Sequence, residues 1–221
     1  MMPINKQRGF SLIEMIVSLG VFSIVITTAI GALLVVIGTN SQLQAEQSVM
    51  TNLAFAMDSM TREMRTGYNY YCEQKPNNSG SKNIFNDSSD HEDILASSTK
   101  DCKTGVNKDP ITNANNKMQG VSFFEGGNSI TGSTGRRIFY YYDKDEKKLF
   151  RRVGNGPSQS IVSSGLVITN AEFYVTGSDK LSASDTEQPT VTIYLEAKDT
   201  DSTDDKVYHL QTTVTQRTLD I

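Results

Sequence analysis

Cysteine and histidine are scarce in this 221-residue chain: Cys72 and Cys102, His91 and His209. Two of each, so widely scattered, cannot supply the closely spaced ligands of a zinc site. The chain has no G-x-S-x-G elbow, no phosphate-cradling glycine loop and no dinucleotide fingerprint, so nucleophilic and nucleotide chemistry have no motif to rest on. His91 falls in the least structured part of the chain, and His209 falls in a strand pattern, where a structural histidine is expected. Neither an enzyme nor a bound cofactor is expected. A basic excess is missing too: 21 Lys and Arg stand against 25 Asp and Glu, a net charge of −4 with both signs mixed throughout. That leaves no basic footprint for nucleic acid, and direct contact with it is not expected.

Two further absences concern the N-terminal quarter. No proline lies between residues 10 and 65, and no charged residue lies between 15 and 38. A run of that length is longer than the 7–15-residue apolar core of a secretory signal peptide, and no A-x-A site follows closely. About 20 apolar residues suffice to span a bilayer, so an uncleaved signal anchor is one reading. It leaves Glu14 unexplained. A charge in hydrocarbon costs roughly 2.5–3.5 kcal/mol on insertion scales, so an acid at this place implies a function and a partner. Lys6 and Arg8, just upstream, are the basic flank that keeps the near end of a segment in the cytoplasm.

The basic leader, Gly9-Phe10-Ser11-Leu12-Ile13-Glu14 and the long apolar helix together resemble the class III signal of type IV pilin-like proteins. The resemblance implies a prepilin: residues 1–9 are a leader, cut between Gly9 and Phe10 by a membrane prepilin peptidase. Gly9 suits the cut because it has no side chain to block approach of the backbone. Phe10 becomes the new N-terminus and is N-methylated by the same enzyme. Its amine then pairs with Glu14 of an adjacent subunit, and opposite charges in hydrogen-bonding reach offset the cost of burying either. Glu14 is thus expected to act in assembly.

Residues 10–38 are expected as the transmembrane and assembly helix and 39–66 as its amphipathic continuation, stopped at Gly67. As one helix, residues 10–66 reach about 85 Å at 1.5 Å per residue. Many pilins carry a proline midway along this segment, so its absence here speaks against a kink at that point. Past residue 38 an apolar register persists in Leu43, Met50, Leu53, Met57, Met60 and Met64, with heptad spacing from Met50 on. Such a seam serves either as a core face or as a contact between neighbouring helices, where methionine adapts to imperfect packing.

Residues 67–119, polar and poor in aliphatics from 73 on, read as a loop-rich excursion with at most short strands. Strand patterns follow in residues 120–221: 121–124, then 136–142 and 148–153 around a charged turn, then one or two strands in 160–175, and a closing hairpin of 190–197 and 207–218. The fold class expected is α+β, a long N-terminal helix packed on an antiparallel β-sheet head. The order of these strands resembles the J-type minor pseudopilin of type II secretion and equally the W-type minor pilin of type IV pili. That implies a minor, tip-associated subunit working with other pilins or pseudopilins and an inner-membrane assembly platform. The type IV pilus, type II secretion and DNA-uptake machines all remain open, as does a single-pass surface binding protein with an uncleaved anchor.

In an exported head, the even pair Cys72 and Cys102 favours a disulfide that tethers the excursion; two free thiols are the alternative, as a reducing compartment requires. Two acidic clusters, Asp87/Asp90/Glu92/Asp93 and Asp199/Asp201/Asp204/Asp205, carry oxygen ligands of the kind calcium takes. Neither has the glycine and distal glutamate of an EF-hand, and solvated loops account for both, so no metal is assigned.

Overall fold

A computed structural model describes residues 9–73, 85, 99–102, 118–126, 137–154, 156–179, 187–200 and 206–217. One helix, α1 (Leu12–Thr66), precedes eight strands: β1 (Tyr68–Glu73), β2 (Met118–Phe124), β3 (Arg137–Asp143), β4 (Lys148–Val153), β5 (Gln159–Ser160), β6 (Leu166–Thr176), β7 (Thr190–Asp199) and β8 (Tyr208–Thr215). The chain divides into two compact units, Met1–Glu46 and Gln47–Ile221, so α1 contributes to both. The class is α+β, with every paired strand antiparallel.

The head is built from two sheets where the strand patterns suggested one: β1-β2-β3-β4-β5 and β6-β7-β8. The β3–β4 and β7–β8 hairpins fall where the alternation placed them, with Tyr142 opposite Leu149 and Ile193 opposite Thr212. Strand β1 falls in the stretch read as a loop-rich excursion. It begins two residues after the helix and carries a bulge at Asn69, whose φ of 52° is in the left-handed region that asparagine tolerates.

One core joins the C-terminal part of α1 to both sheets. Leu53, Ala56, Met57, Met60 and Met64 are buried with Val121, Ile138 and Tyr140 of the first sheet and Phe173, Ile193 and Leu195 of the second. The methionine seam is a core face from Leu53 onward. Upstream its register changes: Val49 is buried, while Met50 is 43% exposed and Leu43 50%. Phe55, on another face of the helix, is 72% exposed.

All seven residues of β3 are buried, because both faces of the first sheet are covered. Ile138, Tyr140 and Tyr142 join the main core, and Phe139 and Tyr141 join a second cluster with Phe85. Phe85 meets Phe139 edge-on at a centroid distance of 6.0 Å. The residues of the polar excursion on either side of it lie outside the described set.

The segment 99–102 is inserted between the two sheets. Lys100 bridges in parallel to Tyr71 of β1, and Cys102 bridges antiparallel to Val175 of β6. Four backbone hydrogen bonds of 2.9–3.2 Å hold it: Lys100 N–H to Tyr70, Cys72 N–H to Lys100, and a reciprocal pair between Cys102 and Val175. The Asp101 carboxylate accepts the N–H groups of Gly177 and Ser178 at 3.2 and 2.9 Å.

The helix ends as its carbonyls demand, since the last turn of any helix leaves acceptors without partners. Gly67 N–H donates to Glu63 and Met64, Arg217 N–H donates to Arg65 at 2.8 Å, and the Tyr70 hydroxyl donates to the Met64 carbonyl. Gly67 also leaves room for Phe123, whose ring comes within 2.4 Å of where a Cβ would stand.

Candidate functional site

Gly9 and Phe10 are exposed and precede the helix, whose cap is Ser11. The Ser11 Oγ accepts the Glu14 backbone N–H at 3.3 Å, and the Ser11 carbonyl accepts from Glu14 and Met15. This is one half of a capping box, S-x-x-E, a pattern that marks a helix start. An acid at the third helical position also faces the positive end of the helix dipole. Among the described residues, however, no hydrogen bond or ion pair reaches the Glu14 carboxylate, and its residue is exposed.

The helix beyond it has a different polar economy. Between residues 15 and 38 the only polar side chains are Ser18, Ser23, Thr27 and Thr28. Each hydroxyl donates to a carbonyl one turn back: Ser18 to Met15 at 3.0 Å, Ser23 to Leu19 at 2.8 Å, Thr27 to Ser23 at 2.8 Å, and Thr28 to Val25 at 2.9 Å. Hydroxyls satisfied within their own helix remove the penalty of an unmet polar group in an apolar surrounding. The side chains around them are large, apolar and exposed, among them Ile16, Leu19, Phe22, Ile24, Leu33 and Ile37. By length and composition α1 can cross a membrane. Among the described residues, Glu14 is the one polar side chain from residue 12 to 38 that no hydrogen bond or ion pair reaches.

In the head, Cys72 and Cys102 form a disulfide with their Cα atoms 5.7 Å apart. It closes the junction where segment 99–102 enters between β1 and β6. A second constellation, not foreseen from sequence, ties α1 to the first sheet. The Arg151 guanidinium takes the Glu63 carboxylate with both prongs, Nε to Oε2 at 3.0 Å and Nη2 to Oε1 at 2.8 Å. The Tyr140 hydroxyl donates to the same Oε2 at 2.8 Å. Burial, followed by the adjacent Glu63 charge, holds the Tyr140 phenol well above its ordinary pKa. A third group, Arg137, is fully buried in the first sheet. Its Nε donates to Ser122 Oγ at 2.9 Å, its Nη2 donates to the Asn69 carbonyl at 2.8 Å, and its guanidinium lies 4.9 Å above the Phe124 ring. Desolvation pulls its pKa down to about 10. These groups hold the head together, and the alternation of β3 alone does not tell which tyrosine will meet which charge.

Among the described residues no three His, Cys, Asp or Glu side chains gather as a metal site. The cluster Asp87/Asp90/Glu92/Asp93 and His91 lie outside the described residues, as do Asp201, Asp204 and Asp205. His209 sits on the outward side of β8, its Nδ1 2.8 Å from the Tyr194 hydroxyl.

Residues 4–30 match the family described as the prokaryotic N-terminal methylation motif. The match covers Gly9, Phe10 and Glu14 and supports a type IV pilin-like, membrane-anchored protein of a structural rather than an enzymatic family. No curated protein and no solved structure matches the chain.

Proposed function

We propose that the chain is a minor pilin or pseudopilin, processed by prepilin peptidase between Gly9 and Phe10 and N-methylated at Phe10. The observation that carries this reading is Glu14, a carboxylate inside the matched motif that has no partner among the described residues, at the start of a helix whose hydroxyls between residues 15 and 38 are each bonded to its own backbone. Cleavage discards Lys6 and Arg8 and creates an α-amine at Phe10, four residues from Glu14. That amine on one subunit is the charge that Glu14 of the next requires. Pairing them offsets a cost of roughly 2.5–3.5 kcal/mol for leaving the acid alone in hydrocarbon. The apolar helix exchanges lipid for the apolar helices of neighbouring subunits, so its surroundings stay nonpolar throughout.

The leader lies on the cytoplasmic side and the head beyond the inner membrane, where a disulfide such as Cys72–Cys102 persists. A head of this size, larger than those usual for shaft subunits, supports a place in a short tip complex of minor subunits. Partners follow from the resemblance: the peptidase, other pilins or pseudopilins, and the assembly platform with its motor ATPase.

Intact-mass measurement with N-terminal fragmentation, on protein recovered from membranes, tests the reading. The expected chain begins at Phe10 and carries one added methyl group. A chain that retains residues 1–9 makes this a surface protein on an uncleaved anchor.

A further inference from the structure

A β-sheet edge presents backbone N–H and C=O groups that nothing within the sheet satisfies, and folded proteins blunt such edges by brevity, bulges, charged residues or a covering segment. The two sheets of the head have four edges, and three of them are dealt with in these ways. Strand β1 carries a bulge and is met by Lys100, which exchanges hydrogen bonds of 3.0 Å with Tyr70 and Cys72. Strand β5 is two residues long. Strand β6 is bulged between Ile168 and Asn170, gives the Ile168 N–H to the Lys147 carbonyl at 2.9 Å and is bridged by Cys102 at Val175.

Strand β8 is the exception. Its eight residues, Tyr-His-Leu-Gln-Thr-Thr-Val-Thr, include no proline, glycine, lysine, arginine, aspartate or glutamate. Its register with β7 runs unbroken from Tyr208 opposite Ala197 to Thr215 opposite Thr190, so no bulge turns it away. On its far side no backbone hydrogen bond reaches it among the described residues. The nearest cations in the chain stand outside the strand: Lys206 Nζ lies 5.3 Å from the Tyr208 ring, and Arg217 gives its N–H to the Arg65 carbonyl. The inward row is incomplete as well. Val214 is buried, but Tyr208 and Leu210 are only half-buried against the main core.

We infer that β8 receives an extended strand of a partner protein, one whose side chains alternate between apolar and polar and which joins the second sheet as its fourth strand. The edge itself selects this occupant, because its repeating donors and acceptors are matched by another extended backbone. The apolar positions of that strand cover Tyr208 and Leu210, and its polar positions lie beside the exposed His209, Gln211 and Thr213. That the partner is a neighbouring subunit rests on the proposed assembly role; that β8 takes a strand does not.

The test uses the full chain in detergent micelles and a labelled peptide with the sequence of β7, Thr190–Asp199, the strand that β8 already pairs with and one whose apolar and polar residues alternate. Fluorescence anisotropy compares it with a peptide of the same composition, reordered to break the alternation. Two N-methylated forms are also compared, one modified at Val191, Ile193 and Leu195 and the other at Thr192, Tyr194 and Glu196. Successive N–H groups of a strand point to opposite sides, so one form loses the donors that pair and the other keeps them. The reordered peptide and one N-methylated form should bind weaker by about tenfold or more, while the other N-methylated form binds like the parent. Amide hydrogen exchange should show every second amide of β8 gaining protection on binding, with β5 unchanged. Absence of binding by the parent peptide, equal binding of the reordered one, equal effects of the two N-methylated forms, or β8 amides that gain no protection each overturn the inference. So does dimerisation of the chain through β8, seen by sedimentation with no uptake of peptide, which assigns the edge to a second copy. None of these results bears on processing at Gly9 and Phe10, and a retained leader leaves the edge as it is.

Discussion

Removing the disulfide by Cys72→Ala with Cys102→Ala perturbs the point where the two sheets meet. The two residues are 30 apart in sequence. A cross-link over that separation restricts the unfolded chain by about 3.6 kcal/mol in the loop-entropy relation. For a domain of this size class each kcal/mol is worth about 2–4 °C, so the melting temperature should fall by about 7–14 °C. The loss should also have an address. The backbone bonds of Lys100 and Cys102 to β1 and β6 depend on segment 99–102 staying in place, and the disulfide is the covalent part of that seat. Differential scanning calorimetry of the purified full chain reads the first quantity, and amide hydrogen exchange reads the second. Exchange should quicken at Cys72 (now alanine), Lys100, Cys102 (now alanine) and Val175, while Val191 and Ile193 in the middle strand of the second sheet keep their protection. An unchanged melting temperature, or exchange that rises uniformly across both sheets, refutes the idea that this segment is stitched into place by the bridge.

Other outcomes follow from the same geometry. Glu14→Val should still be exported and cleaved yet fail to enter the tip complex, as read by co-purification with the other minor subunits; normal incorporation contradicts the charge-pairing role. Glu63→Ala leaves the Arg151 guanidinium and the Tyr140 hydroxyl without their shared acceptor and should cost about 2 kcal/mol, measured by denaturant unfolding. Gly120→Ala places a Cβ 1.9 Å from the Tyr140 carbonyl oxygen and 2.6 Å from the Tyr141 Cα, both backbone atoms, and should cost about 3 kcal/mol or prevent folding. Burial raises the phenol pKa of Tyr70 and of Tyr140 above the ordinary value of 10. Above pH 10 the unfolded chain therefore loses protons that the folded one retains, and stability present below that pH is lost as pH rises. The slope is about 1.4 kcal/mol per pH unit for each tyrosine, checked by melting temperature against tyrosinate absorbance between pH 9 and 11.5.

What the sequence disclosed and what it withheld divide along physical lines. The helix, its stop at Gly67 and the two hairpins are written in local pattern: an uninterrupted apolar run, a glycine, and alternation around a charged turn. Glu14 was legible for the same reason, as one acid in a segment otherwise uncharged. Strand β1 was not, because it is a six-residue stretch whose pairing partner, β2, lies more than forty residues further on. The split into two sheets and the insertion of segment 99–102 are long-range facts with no local signal. Met50 shows the limit of periodicity: its heptad spacing is regular, yet the burial register shifts to Val49 because the core ends there. The Glu63–Arg151–Tyr140 cluster was invisible for another reason. Each residue is ordinary in its own element, and only the meeting of a helix with a hairpin makes them a unit.

The serine and threonine hydroxyls of the apolar helix, each bonded to its own backbone, bear on how such a rod can move. A rod that needs nothing polar from its neighbours can slide or rotate against them without breaking a bond at any intermediate position. Its docking would be indeterminate if every group along it were content in this way. Under the proposed pairing with the amine of a neighbouring subunit, a single carboxylate near one end would act as a detent: the rod would glide until that point found its counterpart, and stop there.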